Sequence, residues 1–439
     1  MHITPPELDL ATLQARTSNS ALEPDFLGYT VESWLAAKER HGPVMQADIN
    51  GKRQVILCSH DANIDAWKTP THWHYGSPTS SGDFFKDQMG AVHITQLDGA
   101  PHRRSRKLLL PAFGIGALAP HLPEFYAELE GGLATRNNTA FNLHEELCFL
   151  YASGLSKTQV QCSIDELTVR MLTRFEEEFI SGLRLSRDDQ LAWHKRPAYL
   201  TLRREAFALF DNIVQERLGG VTHNDSLQRL ITPTKETGLE PLSADELRNA
   251  VYLLLVAGVG NIAILACAML WQLKHLPAWQ QRLKTELADF TPESMSSGVK
   301  NYPLLQAFIQ ETERCYLPAP VTPKITTMDT NLLGYDIPKN THVLQLIGLP
   351  HFDNKRFDNA LTFDPDRWLS AGRERANAYG GGSHLCLGMG VSRVLLPLTL
   401  AVFVQNHSFD VTTAPENVVL QPGTDCSPTT TYFPISLTK

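Results

Sequence analysis

The chain has 439 residues, 43% of them hydrophobic and 20% charged, with a formal net charge of −8. That balance describes a soluble globular protein long enough to bury a cofactor, and it excludes a global attraction for nucleic acid. Seven cysteines, at positions 58, 148, 162, 267, 315, 386 and 426, are odd in number and unpatterned, so reduced thiols in the cytoplasm are expected over a disulfide framework.

The chain starts without a basic segment leading into an apolar run, so neither a signal peptide nor a membrane anchor is expected there. Residues 1–30 read as an N-terminal extension. Periodic apolar spacing then predicts helices near 31–41, 101–111, 122–135, 142–156, 164–182, 203–217, 244–275, 278–289, 303–315 and 389–405. Strand-like runs fall near 43–47, 53–58, 323–327, 342–347 and 428–437. Residues 218–242, rich in Gly, Thr and Pro, read as an irregular connector into the long helix. Strands at both ends and helices between them suit one mainly helical domain spanning 1–439 with small β-sheets, not a doubly wound alternation.

Val251 to Trp271 runs 21 residues without a charge, long enough for a membrane span. Gly258, Gly260 and Asn261 interrupt its centre, and Ser243 with Glu246 form a capping-box pair at the helix start. The expected structure is instead one buried helix over 244–275, about 45 Å long, crossing a large core.

The most specific segment is Tyr379-Gly380-Gly381-Gly382-Ser383-His384-Leu385-Cys386-Leu387-Gly388, ahead of an apolar helix. A cysteine on such a turn can offer haem iron a thiolate, because backbone N–H groups at a helix start temper its charge and glycines let the backbone come close. Two other readings fit less well. A dinucleotide fingerprint opened by Gly380 and Gly382 needs a third glycine where Leu385 stands. A zinc site using His384 and Cys386 lacks a companion ligand pair.

The loop resembles the haem-binding signature of the cytochrome P450 family, and further segments match in order over roughly residues 30–435. In Asp98-Gly99-Ala100-Pro101-His102-Arg103-Arg104-Ser105-Arg106, His102 and Arg106 share a helical face where the resemblance places haem propionate contacts. Arg103, Arg104 and Lys107 read as a solvated basic face or a docking patch for an electron donor. Glu311-Thr312-Glu313-Arg314 with the later Phe363-Asp364-Pro365-Asp366-Arg367-Trp368 is similar to the family's buried Glu–Arg–Arg lock, which carries over to Glu311, Arg314 and Arg367. Lys324 and His384 stand at propionate-facing positions, while Tyr379 covers the loop beside Gly380 and Gly388.

The resemblance implies the cytochrome P450 fold, mainly α with small sheets. It also implies haem b (iron protoporphyrin IX) with Cys386 as the metal ligand. On the distal helix the chain departs from the family. Ala257 and Gly258 leave room for a ligand, but Gly260 and Asn261 stand where an acid and a threonine commonly relay protons, and an amide cannot shuttle a proton as a carboxyl can. The expected function is a dioxygen-activating oxidase of secondary metabolism acting on a small apolar or aromatic substrate, with electrons from a separate ferredoxin or flavodoxin and reductase. The alternatives are a reductant-independent isomerase, dehydratase or peroxide user, and a non-catalytic haem sensor. The family's layout places Trp73, Tyr75, Phe84, Phe85, Pro320 and Val321 at the substrate pocket, with Asn261, Gly258 and Gly260 at the reacting centre.

Overall fold

Capping chemistry and apolar periodicity place the elements much as the sequence suggests. The computed structural model describes residues 3–15, 25–49, 51–75, 80–183, 185, 187–232, 238–296, 298–370, 376–412 and 432–438; Cys426 and the first part of the last predicted strand lie outside these. The α-helices are α1 Val31–His41, α2 His60–Lys68, α3 Ser80–Met89, α4 Gly99–Phe113, α5 Ile115–Leu118, α6 Leu122–Ala134, α7 Leu143–Leu155 and α8 Glu166–Leu183. They continue with α9 Arg187–His194, α10 Pro197–Leu218, α11 Ser226–Ile231, α12 Ala244–Leu255, α13 Val259–His275, α14 Pro277–Glu286, α15 Pro303–Cys315 and α16 Met389–Asn406.

The strands are β1 Asp25–Phe26, β2 Tyr29–Thr30, β3 Val44–Ile49, β4 Lys52–Leu57, β5 Trp73–His74, β6 Ala140–Asn142, β7 Val321–Thr326, β8 Thr330–Leu332, β9 Tyr335–Ile337, β10 His342–Leu346, β11 Ser408–Val411 and β12 Pro434–Thr438. The main sheet has the order β3-β4-β10-β7-β5, antiparallel except for the parallel pairing of β4 with β10. A second sheet, β11-β12-β6, joins the chain's end to its middle.

Several expectations are corrected. The stretch 218–242 contains α11, whose Asp225 cap accepts from the Gln228 N–H at 2.8 Å. The N-terminal extension lies on the main sheet: Leu8 and Leu13 are buried and Leu8 N–H donates to the Gln46 carbonyl. Five helices, α2, α3, α5, α9 and α11, carry no sequence signal of the kind that marks the others; they are short, and their apolar positions follow tertiary contact more than a 3.6-residue period.

The 244–275 helix begins with the Ser243–Glu246 capping box but breaks after Leu255 and resumes at Val259. By length and composition Ala244–His275 and Met389–Asn406 could each cross a membrane; here 72% of each apolar window is buried inside the protein. They meet at the centre of the largest hydrophobic cluster, where Ala263, Ala266, Cys267 and Leu270 pack with Leu395, Leu398 and Val402 at essentially no exposure. Small residues on the α13 face let neighbouring backbones approach closely. The core therefore sits behind the cysteine loop and holds the two helices that bound the site.

Candidate functional site

The cysteine loop is a folded backbone device before it is a ligand. Gly380 N–H donates to the Asn377 carbonyl at 3.0 Å, and Cys386 N–H to the Tyr379 carbonyl at 3.0 Å, which closes the loop on itself. Gly382 sits at φ 66°, a left-handed conformation that favours glycine. A Cβ on Gly381 would lie 2.4 Å from the Trp67 ring of α2, so the loop can approach that helix only with glycine there. Among the described cysteines, Cys386 alone lines the cavity between the loop and the α12–α13 helices. Burial pushes its thiol up, and the Gly388 and Met389 N–H groups and the Arg106 charge act against that. The donors expected at the start of α16 are present.

Beside the loop, residues from four segments form a stack of cations and rings. His102 lies on His384 at 3.8 Å between centroids, and His384 on Tyr75 at 3.9 Å. Asp98 holds this edge by accepting from Tyr75 N–H at 3.1 Å and meeting His384 Nε2 at 3.5 Å. Lys324, on β7, reaches under the stack with its ammonium 4.5 Å from the Tyr75 ring and 5.5 Å from that of Trp73. It is 1% exposed, and its Nζ has no hydrogen-bond partner. Burial pulls Lys324 down to about 7, and burial with the His384 and Arg106 charges pulls His102 down to about 4. An orphaned buried cation is costly, and an anionic group placed against it removes that cost. Arg106, His102 and His384 along one edge of the cavity, with Lys324 buried beneath the Tyr75 ring beside them, fit the two propionates of haem b.

On the opposite wall α12 and α13 are separated by a turn. Val256 and Ala257 N–H both donate to the Tyr252 carbonyl, at 3.1 and 3.2 Å, and Gly258 takes φ 80°. This frees the Gly258 N–H from the helical ladder. Ala257, Gly258 and Asn261 line the cavity facing Cys386, and the Asn261 side chain is exposed to it. Gly260 is turned away; its carbonyl lies 3.2 Å from His144 Nε2.

Beneath the site the predicted lock is assembled in full. Glu311, Arg314 and Arg367 are 0%, 0% and 4% exposed. Arg314 donates to both Glu311 oxygens at 2.8 and 2.7 Å, and Arg367 Nε to Oε1 at 3.0 Å. Trp368 Nε1 and the Asp364 N–H complete the carboxylate's shell at 2.9 and 2.7 Å. The remaining guanidinium N–H groups cap the carbonyls of His351, Ala360, Thr362 and Asp358. His351 passes the lock on to the cysteine loop: its Nδ1 meets the Arg314 carbonyl and its Nε2 accepts from Asn377 N–H at 2.9 Å. Sequence reading did not single out His351 or Asn377 for this link, because neither stands in a recognisable spacing with the lock.

The six residues expected at the substrate pocket are placed elsewhere. Trp73 is buried under Lys324, and Tyr75 belongs to the cation stack. Phe84 is fully buried against Phe179 and His194, and Phe85 packs on His93 and Phe179. Pro318, Ala319 and Thr322 of the turn expected at the pocket line the cavity, while Pro320 and Val321 between them do not. The cause is α3, which turns the presumed 72–95 loop into a helix with its rings against α8. The rest of the wall is largely aliphatic: Leu253, Leu254, Ile262, Leu265 and Ile347, with Thr95. Arg104 is likewise no free basic face. It ties α4 to Glu246 at 2.6 Å, leaving Arg103 and Lys107 exposed.

Known proteins share this fold. The family profile described as Cytochrome P450 matches residues 32–430. A cyclooctat-9-en-7-ol 5-monooxygenase of Streptomyces melanosporofaciens is 23% identical over 82% of this chain and 83% of its own length. A pentalenene oxygenase of Streptomyces avermitilis is 24% identical over 76% of each chain, and a human steroid 21-hydroxylase is 34% identical over 41% of this chain and 38% of its own. The solved structure of a retinoic acid bound cyanobacterial CYP120A1 superimposes with a TM-score of 0.78 over 100% of this chain and 99% of that one, at 18% identity. The chain belongs to the cytochrome P450 family. It is a haem monooxygenase, of a family that holds haem b through a cysteine thiolate.

Proposed function

We propose that the protein hydroxylates or otherwise oxygenates a cyclic, mostly hydrocarbon small molecule, with dioxygen and with electrons from a separate ferredoxin or flavodoxin and its reductase. The observation that carries this reading is the cavity itself: a thiol on a turn of N–H donors faces an aliphatic wall across a space whose edge is lined with cations. Two relatives are named for cyclic substrates, pentalenene and cyclooctat-9-en-7-ol, which suits Leu253, Leu254, Ile262, Leu265 and Ile347. Oriented by shape more than by hydrogen bonds, such a substrate would meet Thr95 and Asn261 as its polar contacts.

In this reading Cys386 binds the iron, and the bound haem supplies dioxygen activation, which a thiolate ligand favours. Arg106 and Lys324 would neutralise the propionates and the His102 and His384 rings would hydrogen-bond them, while Tyr379, Gly380 and Gly388 keep the cysteine loop's shape. Ala257 and Gly258 leave room over the reacting centre, and Asn261 orients water or substrate there. Glu311, Arg314 and Arg367 hold the loop's support rigid. Arg103 and Lys107 offer an acidic electron carrier a cationic landing surface in the cytoplasm.

The test is product mass analysis of the holo-protein against a panel of cyclic terpenoids, phenols and oxylipins, with and without a surrogate electron-transfer chain. Products that gain oxygen only when electrons and dioxygen are supplied establish the reading. Isomers or dehydrated products formed without reductant overturn it. Cys386→Ser, expected to abolish the thiolate absorption signature, checks the ligand separately.

A further inference from the structure

Another helix brings a carboxyl to the break in the distal helix, near the Gly260 that stands where an acid is common. Glu176 of α8 is 5% exposed, and its two oxygens are bound at the break between α12 and α13. Oε1 accepts from the Gly258 N–H at 3.2 Å, the very donor freed by the broken helix, and Oε2 accepts from the Tyr252 hydroxyl at 2.6 Å. A carboxyl from 82 residues upstream is thereby set at the turn over the reacting centre.

Behind Glu176 lies a second cavity of about 610 Å³, bordered by Arg170, Arg174, Glu177 and Glu178 of α8. It is distinct from the haem cavity, but Gly258, Val259 and Asn261 line both. The turn, with Val259 and the Asn261 side chain, therefore borders both spaces. Acid-bearing space on one side and the reacting centre on the other is the arrangement a proton entry requires.

We propose that Glu176 is the proton-delivery group for oxygen activation, passing protons by way of water beside Gly258 and Asn261 into the haem cavity and recovering them through the second cavity. In each cycle the carboxyl O–H bond breaks and the proton moves along water to the oxygen being reduced. The carboxylate left behind takes a proton from bulk water in the Arg170–Arg174–Glu177 space. The electrons are those of the redox partner in the monooxygenase reaction, so no further reductant is needed. Burial pushes Glu176 up to about 7 against the pull of its Tyr252 and Gly258 hydrogen bonds, which keeps it able both to lose and to regain a proton near neutrality. Asn261 then orients the water and needs no acidity of its own.

The proposal rests on the dioxygen-using reading above. The experiment compares holo wild type, Glu176→Gln and Glu176→Asp for product and hydrogen peroxide formed per NAD(P)H consumed, in light and heavy water. Infrared spectroscopy of the same proteins looks for a protonated carboxyl band. Glutamine keeps one acceptor oxygen for the Gly258 N–H, and its amide N–H can donate to the Tyr252 hydroxyl oxygen, so the turn stays bridged while the acid is lost. The expected result is a fall of roughly tenfold or more in product per electron in Glu176→Gln, peroxide rising to match. Glu176→Asp should recover part of the coupling, and the carboxyl band of wild type should be missing from Glu176→Gln. Equal coupling and equal heavy-water effects in wild type and Glu176→Gln would overturn the proposal and leave Glu176 as a cap of the broken helix. Wild type that consumes no dioxygen overturns the underlying reading as well, a result distinguishable because it appears before any substitution is made.

Discussion

The Tyr379 hydroxyl donates to Glu313 Oε1 at 2.6 Å, joining the cysteine loop to α15 on the thiolate side of the cavity. The same oxygen lies 2.9 Å from Ser392 Oγ on α16, so one phenol links three elements around Cys386. Burial pushes the Glu313 carboxyl up, and the Tyr379 hydrogen bond and the Arg393 charge hold it down. Tyr379→Phe should cost about 1 kcal/mol of stability, with faster haem loss because the loop is less tethered. Calorimetry of the holo-protein, beside Glu313→Gln, would show this; no change in either variant means the tether is slack.

Lys324 should make the haem-free protein sensitive to pH. Its folded value is pulled from 10.5 down to about 7, so from pH 10.5 downward the unfolded chain takes up a proton that the folded one refuses. Stability of the haem-free protein should therefore fall by a few kcal/mol as pH drops from 10 to 7 and level off below, at about 1.4 kcal/mol for each pH unit crossed. Haem should flatten that slope by pairing Lys324 with a propionate. Lys324→Met should flatten it without haem, and should also speed haem transfer to an acceptor protein. Urea unfolding at pH 7 and pH 9, with and without haem, reads the slopes, and absorbance on mixing with an apo-globin acceptor reads the transfer rate.

Removing one member of the buried lock is expected to be severe. Arg367→Leu leaves Glu311 short of a charged donor and the Asp358 carbonyl uncapped, at about 3–5 kcal/mol. Soluble yield and haem content should both drop. A variant that folds and binds haem like wild type would show that Arg314, Trp368 and the Asp364 N–H suffice.

Gly381→Ala puts a methyl group where the Trp67 ring already stands, 2.4 Å away. The expected cost is about 1–3 kcal/mol, with displacement of the loop and weaker haem retention. Adding Trp67→Leu should restore much of both by making room. If the double variant is no better than the single one, the clash is not the cause.

The cysteine loop, the Glu311–Arg314–Arg367 lock and the placing of His102, Arg106 and His384 beside the loop were legible because each lies in a short segment with its own spacing. Most long helices were legible for a similar reason, since a periodic apolar face is a local property of the chain. The pocket residues were not, because Phe84 and Phe85 have the same composition whether they line a cavity or pack on Phe179. Nothing within 72–95 tells which way a short helix will face.

The break in the long distal helix shows where the boundary lies. Gly258, Gly260 and Asn261 already announced that the usual acid and alcohol are absent, as any property of neighbouring residues can be read in order. That Glu176 reaches the break, held by Tyr252 and the freed Gly258 N–H, depends on α8 crossing the turn at hydrogen-bond distance. Burial, and with it the carboxyl's rise to about 7, exists only once those helices have packed. Chemistry carried by adjacent residues belongs to the amino-acid order; chemistry made by desolvation and convergence of distant side chains belongs to the folded core.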